Sequence, residues 1–303
     1  MIQKTQIKNN TGTVYILGAA LLWGTTGTAQ SFAPVGFDTT VIGFLRLAIG
    51  GLALIALAAW RKELGKFGDW QFWPTVLAAL FMASYQVCFF SAVSKTGVAV
   101  GTIVGIGSAP IAGGLLGFLF RGERPGKRWQ VSTLLALVGC SLLSLGGSSL
   151  KVDPLGILLA FGAGFSYAGY ALMIKGLLEK QAPTAVMAVV VCLGALLLSP
   201  LLIGRDLHWL VQTRSILVVL HLGLATMALS YWLFARGLQR ATVAATVTLS
   251  LAEPMTAATL GILLLGEQLT PQAFGGIALI FAGLMLLVLP LNLLMRRAVR
   301  SSR

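Results

Sequence analysis

Two ionisable side chains sit where ionisable side chains are costly. Glu253 precedes Pro254 near the middle of one long apolar run, and Arg46 lies about two turns into another. A carboxylate in hydrocarbon needs a proton, a partner or a water-filled cavity. Glu253 therefore reads as a site for a ligand ammonium or a proton; the competing reading is a protonated structural acid bonded to a neighbouring helix. Pro254 removes one helical hydrogen bond, and the freed carbonyl is available to line the same space. Arg46 offers a planar fork for a carboxylate, with pairing to Glu253 or snorkelling to the nearby interface as its alternatives.

Polar and aromatic residues recur at similar depth. Trp23, Thr26 and Gln30 share one face of a helix by i, i+3, i+7 spacing. Tyr85 and Gln86 lie in a third run, Ser166, Tyr167 and Tyr170 in a sixth, Ser230, Tyr231 and Trp232 in an eighth. A primary amide in hydrocarbon must find partners, whereas rings serve packing first. The expected binding set is Trp23, Gln30, Arg46, Tyr85, Gln86, Tyr170, Ser230, Trp232 and Glu253. His221 reads as a structural, hydrogen-bonded residue outside it.

The elements that must position these groups are membrane helices. Of 303 residues, 57% are hydrophobic and 10% charged, and the mean hydropathy is +0.88. Soluble domains carry about a quarter charged residues. Runs long enough to cross hydrocarbon lie at approximately 13–33, 39–60, 70–94, 98–120, 128–146, 154–178, 183–203, 214–238, 242–265 and 271–295. They are too long and too evenly apolar for barrel strands. The short gaps after the third and eighth runs make those boundaries the hardest to place. The apolar run after the polar first twelve residues is long enough to span, so it reads as an uncleaved first helix.

A net charge of +13 suggests nucleic acid only until its placement is read. Lys4, Lys8, Arg61, Lys62, Lys66, Arg121, Arg124, Lys127, Arg128, Lys175, Lys180, Arg236, Arg240, Arg296, Arg297, Arg300 and Arg303 all fall on one side of an alternating topology; Lys95, Lys151, Arg205 and Arg214 fall on the other. The positive-inside rule then puts both termini in the cytoplasm. Cys88, Cys140 and Cys192 lack the spacing of a metal site or a disulfide framework, and no cofactor is expected.

The halves match at an offset of 144. Gly12 pairs with Gly156, Pro110 with Pro254, Gly117 with Gly261, Gly122-Glu123 with Gly266-Glu267, and Gly139 with Gly283. Five helices per half is odd, so the second half enters the membrane from the opposite side. Inverted repeats of this kind are a recurrent transporter architecture. The expected organisation is a cytoplasmic tail (1–12), a first repeat (13–150), a second repeat (151–295) and a basic cytoplasmic tail (296–303). The fold class is an all-α integral membrane protein of ten helices.

Four segments carry a family resemblance: AALLWGTTG (19–27), FLRLAIGGL (44–52), SAPIAGGLLGFLFRGERP (108–125) and LAEPMTAATLGILLLGEQL (251–269). The chain resembles the EamA-type branch of the drug/metabolite transporter superfamily over nearly its whole length. That resemblance implies metabolite movement, often amino-acid export, through a cavity lined by helices one to four and six to nine, with five and ten peripheral. The first-helix carboxylate used for proton coupling by small four-helix relatives has no counterpart here.

Two ridges of small residues look structural. Ala109, Gly113 and Gly117 repeat at i+4, and Glu253, Ala257 and Gly261 are their equivalents. Small residues let helices approach closely, so helices four and nine are expected to pack along these ridges. Glu123 is expected to end its helix by solvation or by a contact with Arg121 or Lys127.

The sequence thus predicts a secondary transporter of the bacterial inner membrane, exporting small metabolites, amino acids first among them, by alternating access. Export of cationic or drug-like compounds is the alternative. A membrane enzyme or sensor fits worse, because two His and nine acids are widely scattered and no long soluble segment exists. Expected partners are a small-molecule substrate and membrane lipids, with no nucleic acid, in a monomer or weak dimer. Coupling to protons and facilitated movement both stay open.

Overall fold

The computed structural model describes residues 10–34, 36–145, 153–266, 268 and 270–289. The tail carrying Lys4 and Lys8, the residues Lys151 and Glu267, and the basic tail 296–303 lie outside these described residues. Among the described residues, ten long helices follow in order: α1 (Asn10–Ser31), α2 (Thr40–Trp60), α3 (Phe72–Thr96), α4 (Val100–Arg121), α5 (Lys127–Leu145), α6 (Pro154–Leu177), α7 (Pro183–Leu202), α8 (Thr213–Leu238), α9 (Val243–Leu265) and α10 (Pro271–Val288). Among the described residues, α2 to α10 are long and apolar enough to cross a membrane. With 22 residues, α1 matches their length but carries Thr25, Thr26, Thr28 and Gln30. The protein is a multi-pass membrane protein.

Local chemistry sets the helix ends. Asp38 accepts from the backbone N–H of Thr40 at 2.7 Å and of Val41 at 3.3 Å, capping α2. Asp153 caps α6 through Gly156 N at 2.8 Å. Pro154, Pro183 and Pro271 open their helices at the first turn, where a missing N–H costs nothing. Gly122 and Gly266, 144 residues apart, end α4 and α9 in the left-handed conformation at φ 62° and 70°.

The boundary between α3 and α4 is invisible in the hydrogen bonding, which runs helically through Phe72–Arg121. Packing shows the reversal. A Cβ on Gly101 would lie 3.0 Å from Val93 Cγ2, and one on Gly105 3.5 Å from the Phe89 ring. Along a straight helix those pairs would stand about 12 and 24 Å apart. The two spans therefore form a tight antiparallel hairpin.

The two-fold relation is written in the contacts. A Cβ on Gly139 would meet Gly276 O at 2.6 Å and Ile280 N at 2.7 Å. Shifted by 144, the same contact is Gly283 against Ser132 O at 2.7 Å and Ala136 N at 3.1 Å. Gly12 against Arg240 recurs in the same way as Gly156 against Thr96. Around this axis the helices sort into two mixed halves, α1 with α8 and α9, and α6 with α3 and α4, bridged by the pairs α2–α7 and α5–α10.

Two helices are irregular. Helical bonding in α9 stops between Leu249 and Ala252. Pro254 cannot donate to Ser250 O, and Glu253 N takes that carbonyl instead at 3.0 Å. Pro110, its counterpart, sits in an unbroken α4. Midway along α8, Leu224–Leu229 form a π-helical turn.

Candidate functional site

The cavity enclosed by the two halves measures about 830 Å³ and is lined by Trp23, Gln30, Arg46, Tyr85, Gln86, Tyr170 and Glu253, among others. Seven of the nine expected binding residues thus meet around one space. Thr26, Ala257 and Pro254 join them.

Ser230 and Trp232 are placed elsewhere. Ser230 is fully buried and donates to Thr226 O at 2.7 Å, and the Trp232 ring lies 4.2 Å under the Arg236 guanidinium. Successive helical residues point about 100° apart, and of the three consecutive candidates it is Tyr231 that takes the cavity position. His221 likewise stays out of the lining and bonds Thr25 Oγ1 at 2.9 Å through Nε2. Because the Thr25 hydroxyl already donates to Leu22 O at 2.7 Å, the imidazole N–H is the donor.

Tyr167 and Tyr231 also line the cavity, so four of the five tyrosines in the chain surround it. Their rings contact one another, with centroids 5.9 Å apart for Tyr85–Tyr167, 5.0 Å for Tyr167–Tyr170 and 6.3 Å for Tyr170–Tyr231. Trp23 closes the set at 5.1 Å from Tyr231. The Tyr167 hydroxyl donates to Ser250 Oγ at 2.6 Å, and Ser250 Oγ donates to Thr246 O at 3.1 Å, so a cavity ring is bolted to the break in α9. The clustering of tyrosines within spans is the sequence signal available for both residues.

The cavity lining holds one acidic and one basic side chain. Glu253 is the acidic residue in its lining and Arg46 the basic one. They do not form an ion pair with each other, unlike Arg61–Glu63, Arg121–Glu179 and Arg205–Asp38. Arg46 Nε is buried without a hydrogen-bond partner, as is Trp23 Nε1. A buried donor left unsatisfied costs about 1–3 kcal/mol, a cost that a ligand carboxylate would relieve.

The cavity is open at one end. Val93, Thr102, Leu143, Ser144, Gln268 and Thr270 in its lining all lie at the membrane face opposite the start of α1. Leu143, Ser144 and Ala273 show that α5 and α10, peripheral by their pairing, still supply part of the rim. At the other face α4 closes on the first half of α9, where a Cβ on Gly113 would meet Val247 Cγ2 at 3.2 Å. The second half of α9, carrying Glu253, Ala257 and Gly261, leans on α1 instead. The expected packing of ridge on ridge is not found: Gly113 meets Val243 and Val247, and the ridge from Glu253 to Gly261 lies beyond the break, in the half that leans on α1. Ala109 is buried, and Gly117 faces the Glu123 side chain. Glu123 itself departs from expectation: it bonds backbone amides of α9 rather than Arg121 or Lys127, with Val243 N at 3.0 Å and Ala244 N at 3.4 Å.

Comparison with known proteins agrees with this arrangement. The model of the EamA-like transporter family matches twice, over residues 10–145 and 154–289. An uncharacterized transporter of Bacillus subtilis, YwfM, is 44% identical over 93% of this chain and 95% of its own length. The threonine/homoserine exporter RhtA of Escherichia coli K12 is 31% identical over 85% of this chain and 84% of its own. One crystal structure superposes with a TM-score of 0.80, covering 96% of this chain and 99% of the other at 23% identity, a likeness of fold alone. Two family matches on two inverted five-helix units leave one assignment: the chain belongs to the EamA-like transporter family.

Proposed function

We infer that this protein is a secondary transporter exporting small zwitterionic metabolites, amino acids in particular, across the bacterial inner membrane. The observation that carries the reading is the pair of opposite, mutually unpaired charges, Arg46 and Glu253, on one ring-walled cavity. An α-amino acid brings the complementary charge to each: its carboxylate fits the guanidinium fork, and its ammonium suits Glu253 and the faces of nearby rings. Rings and Gln30 and Gln86 leave room for apolar or hydrogen-bonding side chains. The similarity to RhtA points the same way. The distribution of Lys and Arg favours cytoplasmic termini, which directs the open mouth to the outside.

The test is counterflow in proteoliposomes of the purified protein, preloaded with unlabelled threonine, homoserine, phenylalanine or leucine. Accumulation of the labelled amino acid supports the reading; failure of all four while a monoamine is taken up would overturn it. That outcome would favour the second reading, an exporter of organic cations, which rests on the tyrosine rings beside Glu253.

A further inference from the structure

The face opposite the cavity mouth is held shut by a device that grips the turn between α8 and α9 from both ends. Lys175, near the end of α6, donates to the carbonyls of Leu238, of Gln239 at 3.2 Å and of Ala241 at 2.7 Å, where α8 ends. Glu123, 9% exposed just beyond α4, accepts from Val243 N and Ala244 N, where α9 begins. A cation thus sits at a helix C-terminus and an anion at a helix N-terminus, each at the pole that attracts it. Both grips cross from the half containing α3, α4 and α6 to the half containing α1, α8 and α9. Arg121 braces the clamp from the α4 side by bonding Glu179.

The inverted repeat gives this clamp a mirror position on the other face, around the turn between α3 and α4. The sequence does not fill it. At the offset of 144, Lys175 corresponds to Ser31, Glu179 to Val35 and Arg121 to Leu265; Glu123 alone keeps its charge, as Glu267. Ser31 spends its hydroxyl on Thr28 O at 2.7 Å. We propose that Lys175 and Glu123 form a one-sided electrostatic clamp on the α8–α9 turn, which sets the empty carrier's resting state open at the far mouth. Closing the mouth requires pulling both charges off the turn ends, and no equivalent set of charges rewards the mirrored closure.

The inference rests on alternation between two faces, as does the proposed function, but not on the identity of the cargo. Its test therefore reads distances in substrate-free protein. Spin labels at Gly126 and Arg240 report the clamped face, and labels at Ser94 and Gln268 report the mouth, in full-length chain in lipid nanodiscs with Cys88, Cys140 and Cys192 replaced by alanine. Lys175→Met and Glu123→Gln should each raise the ratio of the longer to the shorter 126–240 population by roughly tenfold or more, the effect expected from losing a hydrogen bond to a charged group. Ser31→Lys, which restores the missing cation to the mirror position, should shorten the 94–268 distances. Unchanged distributions in all three variants would overturn the clamp. If the first two variants fail to fold, Ser31→Lys decides alone: a shortened mouth supports the proposal and an unchanged mouth refutes it. Distances that respond as expected in a protein that transports none of the four amino acids in counterflow would leave the clamp standing and remove only the cargo reading.

Discussion

Arg46 on α2 and Glu253 on α9 line the same cavity without closing on each other. Separate helices hold them, and the break before Pro254 seats Glu253 at the start of a new helical segment, its N–H committed to Ser250 O. Had the charges met, they would neutralise each other and leave a ligand nothing to pair. Held apart, they leave both side chains available, as the proposed zwitterion site requires.

Arg46→Lys tests whether geometry or charge alone matters. Lysine keeps the charge and loses the planar fork. Amino-acid counterflow should fall in kcat/KM by roughly tenfold or more, the size of a lost charged hydrogen bond. Equal activity in the lysine variant would mean that bidentate recognition is absent.

Gly139 and Gly275 make a matched pair for the α5–α10 seam. A methyl on Gly139 would run into the backbone of Gly276 and Ile280, which cannot move aside, whereas Gly275 has nothing within 4 Å. Gly139→Ala should lower stability by about 1–3 kcal/mol, the usual cost of overpacking. Gly275→Ala should be neutral or better, since alanine favours helix. Thermal unfolding in detergent compares the two; equal midpoints would contradict the seam.

Asp38 gives a pH signature outside the spans. Burial pushes its pKa up, but the N–H groups of Thr40 and Val41 and the Arg205 guanidinium outweigh that and hold it below the ordinary value. A carboxylate with a lowered folded pKa stabilises the fold above its unfolded pKa of about 3.9 and loses that contribution as pH falls through the folded value. Asp38→Asn retains a capping oxygen and removes the charge. It should cost no more than about 1 kcal/mol at pH 7, because the Arg205 pair is partly exposed. The gap between variant and wild type should shrink as the pH drops below about 4. A gap that grows with acidity would reverse the sign of the argument.

Gly113 probes the closed seam of α4 and α9. Alanine there needs only a small yield from the Val247 methyl at 3.2 Å, while leucine fills the space between the helices. Gly113→Ala should transport normally, and Gly113→Leu should fold poorly or transport at less than roughly a tenth of the wild-type rate. Wild-type transport by the leucine variant would show that α4 and α9 need not close here.

Much of this molecule is legible in its sequence because hydrocarbon leaves few choices. Spans, repeat and family are set by apolar run length, an odd helix count and the recurrence of Pro110 and Gly122 at Pro254 and Gly266. Glu253 and Arg46 announce themselves by their cost. Register and backbone chemistry are harder to see. Ser230, Tyr231 and Trp232 are consecutive and point about 100° apart, and composition alone does not say which of them turns to the cavity that Tyr231 lines. The partners of Glu123 are main-chain amides at Val243 and Ala244, and every residue but proline carries one. Trp129, near the start of α5, is a further case: it turns inward, donating to Ala244 O at 3.1 Å and Thr248 Oγ1 at 3.0 Å.

The proposed zwitterion site is tested most directly by binding measured across a small grid. Wild type, Arg46→Gln and Glu253→Gln are each titrated calorimetrically with an amino acid, its decarboxylated amine and its deaminated acid. Wild type should hold the zwitterion at least roughly tenfold tighter than either analogue. Arg46→Gln should bind the zwitterion no better than the amine, and Glu253→Gln no better than the acid. Wild-type protein that binds either analogue as tightly as the amino acid would contradict the account.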